Sequence, residues 1–448
     1  MQLYWLSALP LVAAVLTSIA QRQRALAVGF GLLTTLACAG LALALPLDKI
    51  TPFLGQQWVL DPVAQALLAF MYVTTAILLV IWAVAKQAEP FCAPVLASLG
   101  LLSAVILLRS LLVSLILLPA ALVVPALAAS PSASSAVRGA SRFLTWITLP
   151  IAFVLATFML LERLTLFPDE FALANTSAWL VVPPIMLWLT LFPFHGTTCL
   201  WARDSLSLMP AFLWAVKDWG VVYLLLLLWR QNPLLHTENA MAALGSAGLV
   251  TAVVSGVWAF TQSTPSAVLA CAAMSELGIA MQGLTASSVE GVLGGLFLMV
   301  SRSLAVLLAS SALAGLYGSS ASDTESNPKS FHWQSLVLFI VFVVGVLGMA
   351  GLPPLGGFLG RQHIYATLQA KGLYLLLAWL SASAGIALGL VRTGWSLWQT
   401  KVQSPSRHTH ALPLLLVLGL LLLGLWIGYR PQATLNLISD LLSHWLPV

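Results

Sequence analysis

Apolar residues fill this chain in stretches of about twenty, separated by short polar breaks and repeated almost from end to end. Twenty mostly apolar residues are what a helix needs to cross the hydrocarbon core of a bilayer. The runs are continuous rather than alternating, which predicts helices and not the strands of a barrel. Spans are expected at 3–21, 25–46, 62–86, 91–108, 110–129, 141–161, 177–194, 208–229, 240–262, 265–284, 289–316, 333–352, 354–370, 373–397 and 411–430. One or two of these fifteen stretches merge or re-enter, so the expected number of crossings is fourteen, give or take one. The first, Leu3 to Ala20, has no basic residues before it and Arg22 and Arg24 after it, which predicts a membrane helix and not a signal peptide. The tail from Gln432 to Val448 is mildly amphipathic and suits the membrane interface.

Composition agrees. Of 448 residues, 60% are hydrophobic and 7% charged, where a soluble domain carries about 25% charged residues. The polar loops Ser130 to Arg142, Gly318 to Lys329 and Gln399 to His410 are too short to fold as domains. The net charge of +5 comes from basic residues scattered over many loops and forms no nucleic-acid-binding patch. Arg22, Arg24, Lys86, Arg138 and Arg142 fall on alternate loops and predict the cytoplasmic side, with Asp48, Asp61, Asp169 and Glu170 opposite. Cys38, Cys92, Cys199 and Cys271 stand singly in apolar surroundings, without a CxxC pair, and read as packing residues. No phosphate-binding loop, dinucleotide fingerprint or haem-type histidine pair is present, so no cofactor or metal is expected, nor redox chemistry or ATP hydrolysis by the chain itself.

Two segments interrupt the apolar pattern in related ways: Pro183-Pro184 through Pro193-Phe194-His195-Gly196, and Gly351-Leu352-Pro353-Pro354-Leu355-Gly356-Gly357. Proline removes a backbone donor and glycine loosens a helix, so broken helices are expected at both. Such interruptions in matching halves point to a transport pathway; tight turns between neighbouring helices are the plainer reading.

Ionisable residues inside the apolar runs cost roughly 2.5–3.5 kcal/mol each on insertion scales. Lys217 is the clearest case, and a desolvated amine is a candidate for reversible proton loading. Asp218 follows directly but points about 100° away on an ideal α-helix, so the two need not pair. Glu276 lies in a run of small residues, where Lys217 and Arg302 are candidate partners. Arg302 stays protonated and can act only on its neighbours. Arg361 and His363 follow the second break, and a histidine suits a proton relay. Structural ion pairs or helix-end anchors are the plainer readings of these groups. Arg109 and the Glu162–Arg163 pair sit at stretch ends, where snorkelling explains them.

With these residues the chain resembles the antiporter-like, proton-translocating membrane subunits of respiratory complex I, photosynthetic NDH complexes, membrane hydrogenases and Mrp-type cation/proton antiporters. Asp61-Pro62 resembles the family's early D-x-L entry, and Phe192-Pro193-Phe194-His195 its PFH turn. Lys217, Gly220 and Tyr223 resemble its K-x-G-x-Y helix, with slightly wider spacing. Thr261-Gln262 and Ala270 to Gly278 resemble its Q-x-D-x-K-R-x-x-A-Y-S-S-I-S-H-x-G segment. Ala350 to Arg361 resembles A-G-x-P-P-x-x-G-F-x-x-K, the most specific of these motifs. There are departures. Pro119 stands at the family glutamate, Ser266 at the D-x-K lysine, and Ser301 and Ala305 at the H-x-x-x-K pair; Arg361 replaces a lysine and Glu276 a frequent histidine.

The resemblance implies an all-α membrane protein with two inverted five-helix repeats, each holding a broken helix. The expected division is 1–90 for peripheral N-terminal helices, 91–229 and 240–397 for the repeats, and 411–448 for the C-terminal helix and tail. It further implies a proton pathway through Lys217, Asp218, Glu276, Arg302, Arg361, His363 and His195. The expected partners are other membrane subunits of a hetero-oligomeric complex, lipid, and a soluble redox or zinc-containing module. A complex I or NDH-type NAD(P)H or ferredoxin:quinone oxidoreductase is the leading expectation, in a bacterial inner membrane or a thylakoid. The alternatives are a proton channel that energises a zinc carbonic-anhydrase-like partner for inorganic-carbon uptake, and a non-conducting structural subunit.

Overall fold

The computed structural model describes residues 3–85, 91–128, 141, 144–166, 171–204, 208–318, 333–368, 372–399 and 411–443. Lys86, Arg138, Arg142, Asp169 and Glu170, and most of the three long polar loops, lie outside the described residues.

The chain is a bundle of apolar helices, as the hydropathy pattern predicts. They are α1 (Trp5–Ile19), α2 (Arg24–Ala44), α3 (Pro62–Val84), α4 (Cys92–Leu107), α5 (Leu111–Ala128), α6 (Pro150–Leu166), α7 (Phe171–Trp188) and α8 (Gly196–Asp204). Then follow α9 (Leu208–Gln231), α10 (Glu238–Ala259), α11 (Pro265–Leu284), α12 (Val289–Gly318), α13 (Trp333–Met349), α14 (Gly357–Leu368), α15 (Leu373–Leu397), α16 (Ala411–Tyr429) and α17 (Pro431–Ser443). Among the described residues, ten helices are long and apolar enough to cross a membrane, and α16 with α17 makes an eleventh if that bent pair is one span. Shorter apolar helices, α4, most of α7 and α13, supplement them. The expected fourteen crossings are therefore not reproduced as fourteen full-length helices.

Local chemistry sets the helix starts. Asp61 accepts from the Ala64 amide at 2.6 Å with Pro62 next to it. Thr264 caps α11 in the same way, again followed by proline. Large apolar side chains face outward, with Ile19 77%, Leu33 71% and Val391 71% exposed, which only a lipid surround tolerates at this density. The tail expected at the interface forms α17, turned 79° from α16, with Leu435, Ile438 and Leu442 buried on one face.

A small hairpin, β1 (Thr51–Phe53) and β2 (Gln56–Trp58), departs from the purely helical expectation. Leu54 and Gly55 both have positive φ, the conformation of a type I′ turn. The hairpin is fastened to the end of α4 through Arg109 N to Gln57 O at 2.9 Å and Val59 N to Leu107 O at 2.8 Å.

At the centre lies α11, buried throughout except at Ser266. It packs between α10 and α12, and α12 in turn carries α13 and α14. The four cysteines are buried and free, as expected of packing residues. Cys199 and Cys271 nonetheless touch, Sγ to Sγ, at 3.1 Å.

Candidate functional site

Among the described residues, the break between α7 and α8 and the break between α13 and α14 are built alike. At the end of α7, the Thr190 amide bonds the Leu187 carbonyl and the Leu191 amide bonds Met186. Thr190 takes the left-handed conformation at φ 52°. At the end of α13, Gly351 bonds Gly348, Leu352 bonds Leu347, and Gly351 sits at φ 79°. Each is a Schellman motif, which satisfies two helix-end carbonyls and leaves the last ones free. Four residues beyond each helix end comes a cis bond, Phe192-Pro193 or Pro353-Pro354, and three residues later a new helix begins at Gly196 or Gly357. The first interruption is narrower than expected. Pro183 and Pro184 lie inside α7, which runs through them to Trp188; surrounding helices and small backbone adjustments tolerate proline within a membrane helix.

A cation meets the free carbonyls at each break. Lys217 Nζ donates to the Trp188 carbonyl at 2.7 Å. Arg361 donates through Nη1 to Ala350 at 2.8 Å and through Nη2 to Met349. It also reaches Ser383 Oγ on α15 at 2.8 Å. A positive charge at a helix C-terminus complements the helix dipole.

Lys217 ends a π-helical turn, Leu213–Lys217, within α9. Neighbours on a regular helix need not pair, but here Lys217 Nζ lies 2.6 Å from Asp218 Oδ1. The widened turn and the long lysine side chain overcome the angular separation of adjacent residues in a regular α-helix. Asp218 Oδ2 accepts from Arg302 Nη2 at 2.8 Å. Arg302, fully buried, also donates to the Ala273 carbonyl at 2.7 Å and to the Trp214 carbonyl, on the π turn, at 2.9 Å. Its guanidinium thus joins α9, α11 and α12.

Of its two candidate partners, Lys217 and Arg302, Glu276 pairs with neither, and Asp218 occupies both cations. Its side chain is fully buried, and neither carboxylate oxygen has a hydrogen-bond partner among the described residues. It lies in the fields of Arg361 and Arg302. Its Oε1 faces the first residue of α14, so close that a Cβ on Gly357 would stand 2.8 Å away. Lys217, Asp218, Arg302, Glu276 and Arg361 therefore form a buried group of alternating formal charge that connects the two breaks.

The histidines stand beside it. His195, in the first break, packs between Phe192 and Trp258 with ring centroids 5.7 Å from each, and its Nδ1 has no partner among the described residues. His363 is half-buried on α14, against Gly294 of α12. The sequence reading missed the Trp188, Met349 and Ala350 carbonyls, which carry no side-chain signal, and Ser383. The latter sits in the small-residue run Ser381 to Gly385, where nothing in the sequence sets it apart from its neighbours.

The sequence profile of the NADH:quinone oxidoreductase/Mrp antiporter transmembrane family matches residues 144–387, more than half of the chain. The chain belongs to this family. The matched region of this family member holds both breaks and all five buried charges. A relative named NADH-quinone oxidoreductase subunit N, from Heliobacterium modesticaldum, is 24% identical over 219 residues, covering 46% of this chain and 46% of that protein. The match thus spans about half the length of that curated relative. Three solved structures share the fold. A chain of the membrane-bound sulfane sulfur reductase, an archaeal respiratory membrane complex, is 16% identical with a TM-score of 0.82, covering 97% of this chain and 95% of its own. A chain of the Mrp complex from Dietzia sp. is 14% identical with a TM-score of 0.78, covering 99% and 98%. A chain of respiratory complex I from Thermus thermophilus is 21% identical with a TM-score of 0.74, covering 100% of both.

Proposed function

We propose that the chain is a proton-translocating, antiporter-like membrane subunit of a multi-subunit complex of the complex I or NDH type, an NAD(P)H or ferredoxin:quinone oxidoreductase. The observation that carries this reading is the buried, sign-alternating group between two broken helices. Burying each of these charges costs several kcal/mol, and well-packed apolar side chains would hold the helices at least as well. An array retained at that cost is explained by a task that needs movable charge.

In this reading Lys217 holds a proton while it faces Asp218 and the Trp188 carbonyl. When Lys217 gives up the proton, Asp218 stays compensated by Arg302, so discharge leaves no isolated carboxylate. Glu276 has no competing partner and receives the proton, and His363 relays it. Arg302 and Arg361 set the field, and His195 lines the first break. The matched construction of the breaks supports a division into repeats at 91–229 and 240–397, with 1–90 peripheral and 411–448 as the C-terminal helix and tail. Arg22 and Arg24 lie across α2 from Asp48 and Asp61, which fits a cytoplasmic side for the arginines, in a bacterial inner membrane or a thylakoid. The similar solved chains come from complexes, and their names motivate the expectation of other membrane subunits and a soluble module as partners.

The test is purification in mild detergent, identification of co-purifying chains by mass spectrometry, and proton flux in proteoliposomes. Quinone-oxidoreductase subunits and abolished flux in an assembled Lys217→Ala variant are the expected results. A soluble zinc protein as the partner would assign the chain to carbon uptake instead. Undiminished flux in Lys217→Ala would remove Lys217 from the pathway and leave a structural subunit.

A further inference from the structure

The two breaks match in backbone but differ in the cation that closes them. An amine has a neutral form; a guanidinium in a protein does not. At the first break one nitrogen, Lys217 Nζ, meets one carbonyl, at 2.7 Å from Trp188 O. At the second, Arg361 spans two successive carbonyls, of Met349 and Ala350. A third group braces it: Ser383 Oγ lies 2.8 Å from Arg361 Nη1 and donates to the Ala350 carbonyl at 2.7 Å. Gly351 is tied to the same guanidinium, because a Cβ there would fall 2.6 Å from Arg361 Nε.

The charged and titratable surroundings of the two cations also differ. Lys217 faces Asp218 on its own helix and, across it, Arg302 of α12. The packed face of α3 adds only Tyr72, which is bonded to Leu6 and Ser103, and the described part of α7 adds no charge. Arg361 faces Glu276 of α11, with Arg302 of α12 beyond it. On its own helix are His363 and Tyr365. Arg392 of α15 is turned to the Phe260 carbonyl, and α13 carries no charge.

We propose that Arg361, oriented by Ser383, is a permanent latch that holds the second break in one conformation whatever the proton load. Opening in response to protonation is then confined to the first break, where the closing cation can discharge. Arg361 is a positioning residue in this scheme and carries no proton, which leaves Glu276 and His363 as the groups at this end that can. The inference rests on the reading of the chain as a proton-translocating subunit.

Hydrogen–deuterium exchange of the whole purified complex tests it, with rates corrected for the intrinsic effect of pH. Peptides covering 186–198 and 347–360 are compared at about pH 6 and about pH 10.5, a range that reaches the ordinary lysine value of about 10.4. In the wild type, protection at the first break should fall roughly fivefold or more with rising pH, while the second changes less than about twofold. Lys217→Arg should abolish the first response. Arg361→Lys, which keeps a cation and the fold, should create a response at the second break. Ser383→Ala should lower protection there equally at both pH values. Equal responses of both breaks in the wild type, or an Arg361→Lys variant whose second break stays insensitive, would overturn the latch. None of these readouts needs proton flux. A surviving asymmetry without flux counts against the proposed function, whereas flux with no asymmetry counts against the latch alone.

Discussion

Replacing Asp218 with asparagine keeps the shape of the side chain and removes the one anion that Lys217 and Arg302 share. The two contacts, at 2.6 Å and 2.8 Å, are each worth roughly 6 kcal/mol by Coulomb's law at an effective dielectric constant of about 20. The penalty for taking these ions out of water offsets most of that gain. What remains is the cost of stranding buried cations, about 3–5 kcal/mol for the loss of one partner. Arg302 keeps its two carbonyl acceptors and Lys217 keeps one, so the lower half of that range is expected. A double-mutant cycle with Lys217→Met separates the pair from the rest. Lys217→Met removes one of the stranded cations, so the double variant should be less destabilised than the sum of the singles by about 1–3 kcal/mol. The assay is denaturant unfolding of the purified protein in one detergent, followed by tryptophan fluorescence, with proton flux measured in parallel. An Asp218→Asn variant within about 0.5 kcal/mol of wild type, or strictly additive single variants, would refute the argument that this carboxylate compensates both cations.

Glu276→Gln removes the acid and keeps its volume; flux should fall roughly 100-fold while stability holds or rises, because a buried carboxyl without partners is replaced. Unchanged flux in a pH-dye assay would exclude Glu276 as a carrier. Gly351→Ala forces a Cβ into a left-handed position against Arg361 and should cost about 1–3 kcal/mol, read as a lower unfolding midpoint. Ile438→Asp places a charge on the buried face of α17 and should speed amide exchange across Pro431–Ser443 roughly tenfold; an unchanged rate would mean that this face does not hold the helix down.

The fold was legible where one physical cost dominates. Long apolar runs have no solvent but lipid, so nearly every span was visible, and its ends followed from caps such as Asp61-Pro62 and Thr264-Pro265. Lys217 and Arg302 stood out for the same reason, since a charge in such a run demands compensation. Their actual partners were hidden. The Lys217–Asp218 pair depends on a π turn, and nothing in Leu213 to Lys217 distinguishes that turn from an ordinary helix. Trp188, Met349 and Ala350 contribute only backbone oxygen, which every residue has. Glu276 was found, but its lack of a partner is a property of three-dimensional packing, in which Asp218 saturates the cations first. Pro183-Pro184 misled in the opposite direction: a proline pair marks a permitted kink, and the αL residue at Thr190 marks the actual end.

The burial of α11 bears on how the chain is made as well as how it works. Its residues include Glu276, Gln282, Ser275, the run Ala270-Cys271-Ala272-Ala273 and two glycines, and in the finished protein almost none of it meets lipid. Released alone into a bilayer during synthesis, it would expose that carboxyl, the Gln282 amide and the Ser275 hydroxyl to hydrocarbon and gain little from its small side chains. Its natural shelter is α10, made just before it, and α12, made just after, the latter bringing Arg302 to the Ala273 carbonyl. The three helices thus have reason to leave the insertion machinery as a group, and a substitution that weakens their mutual packing would show first as failed insertion of α11, before any defect in proton transfer could be measured.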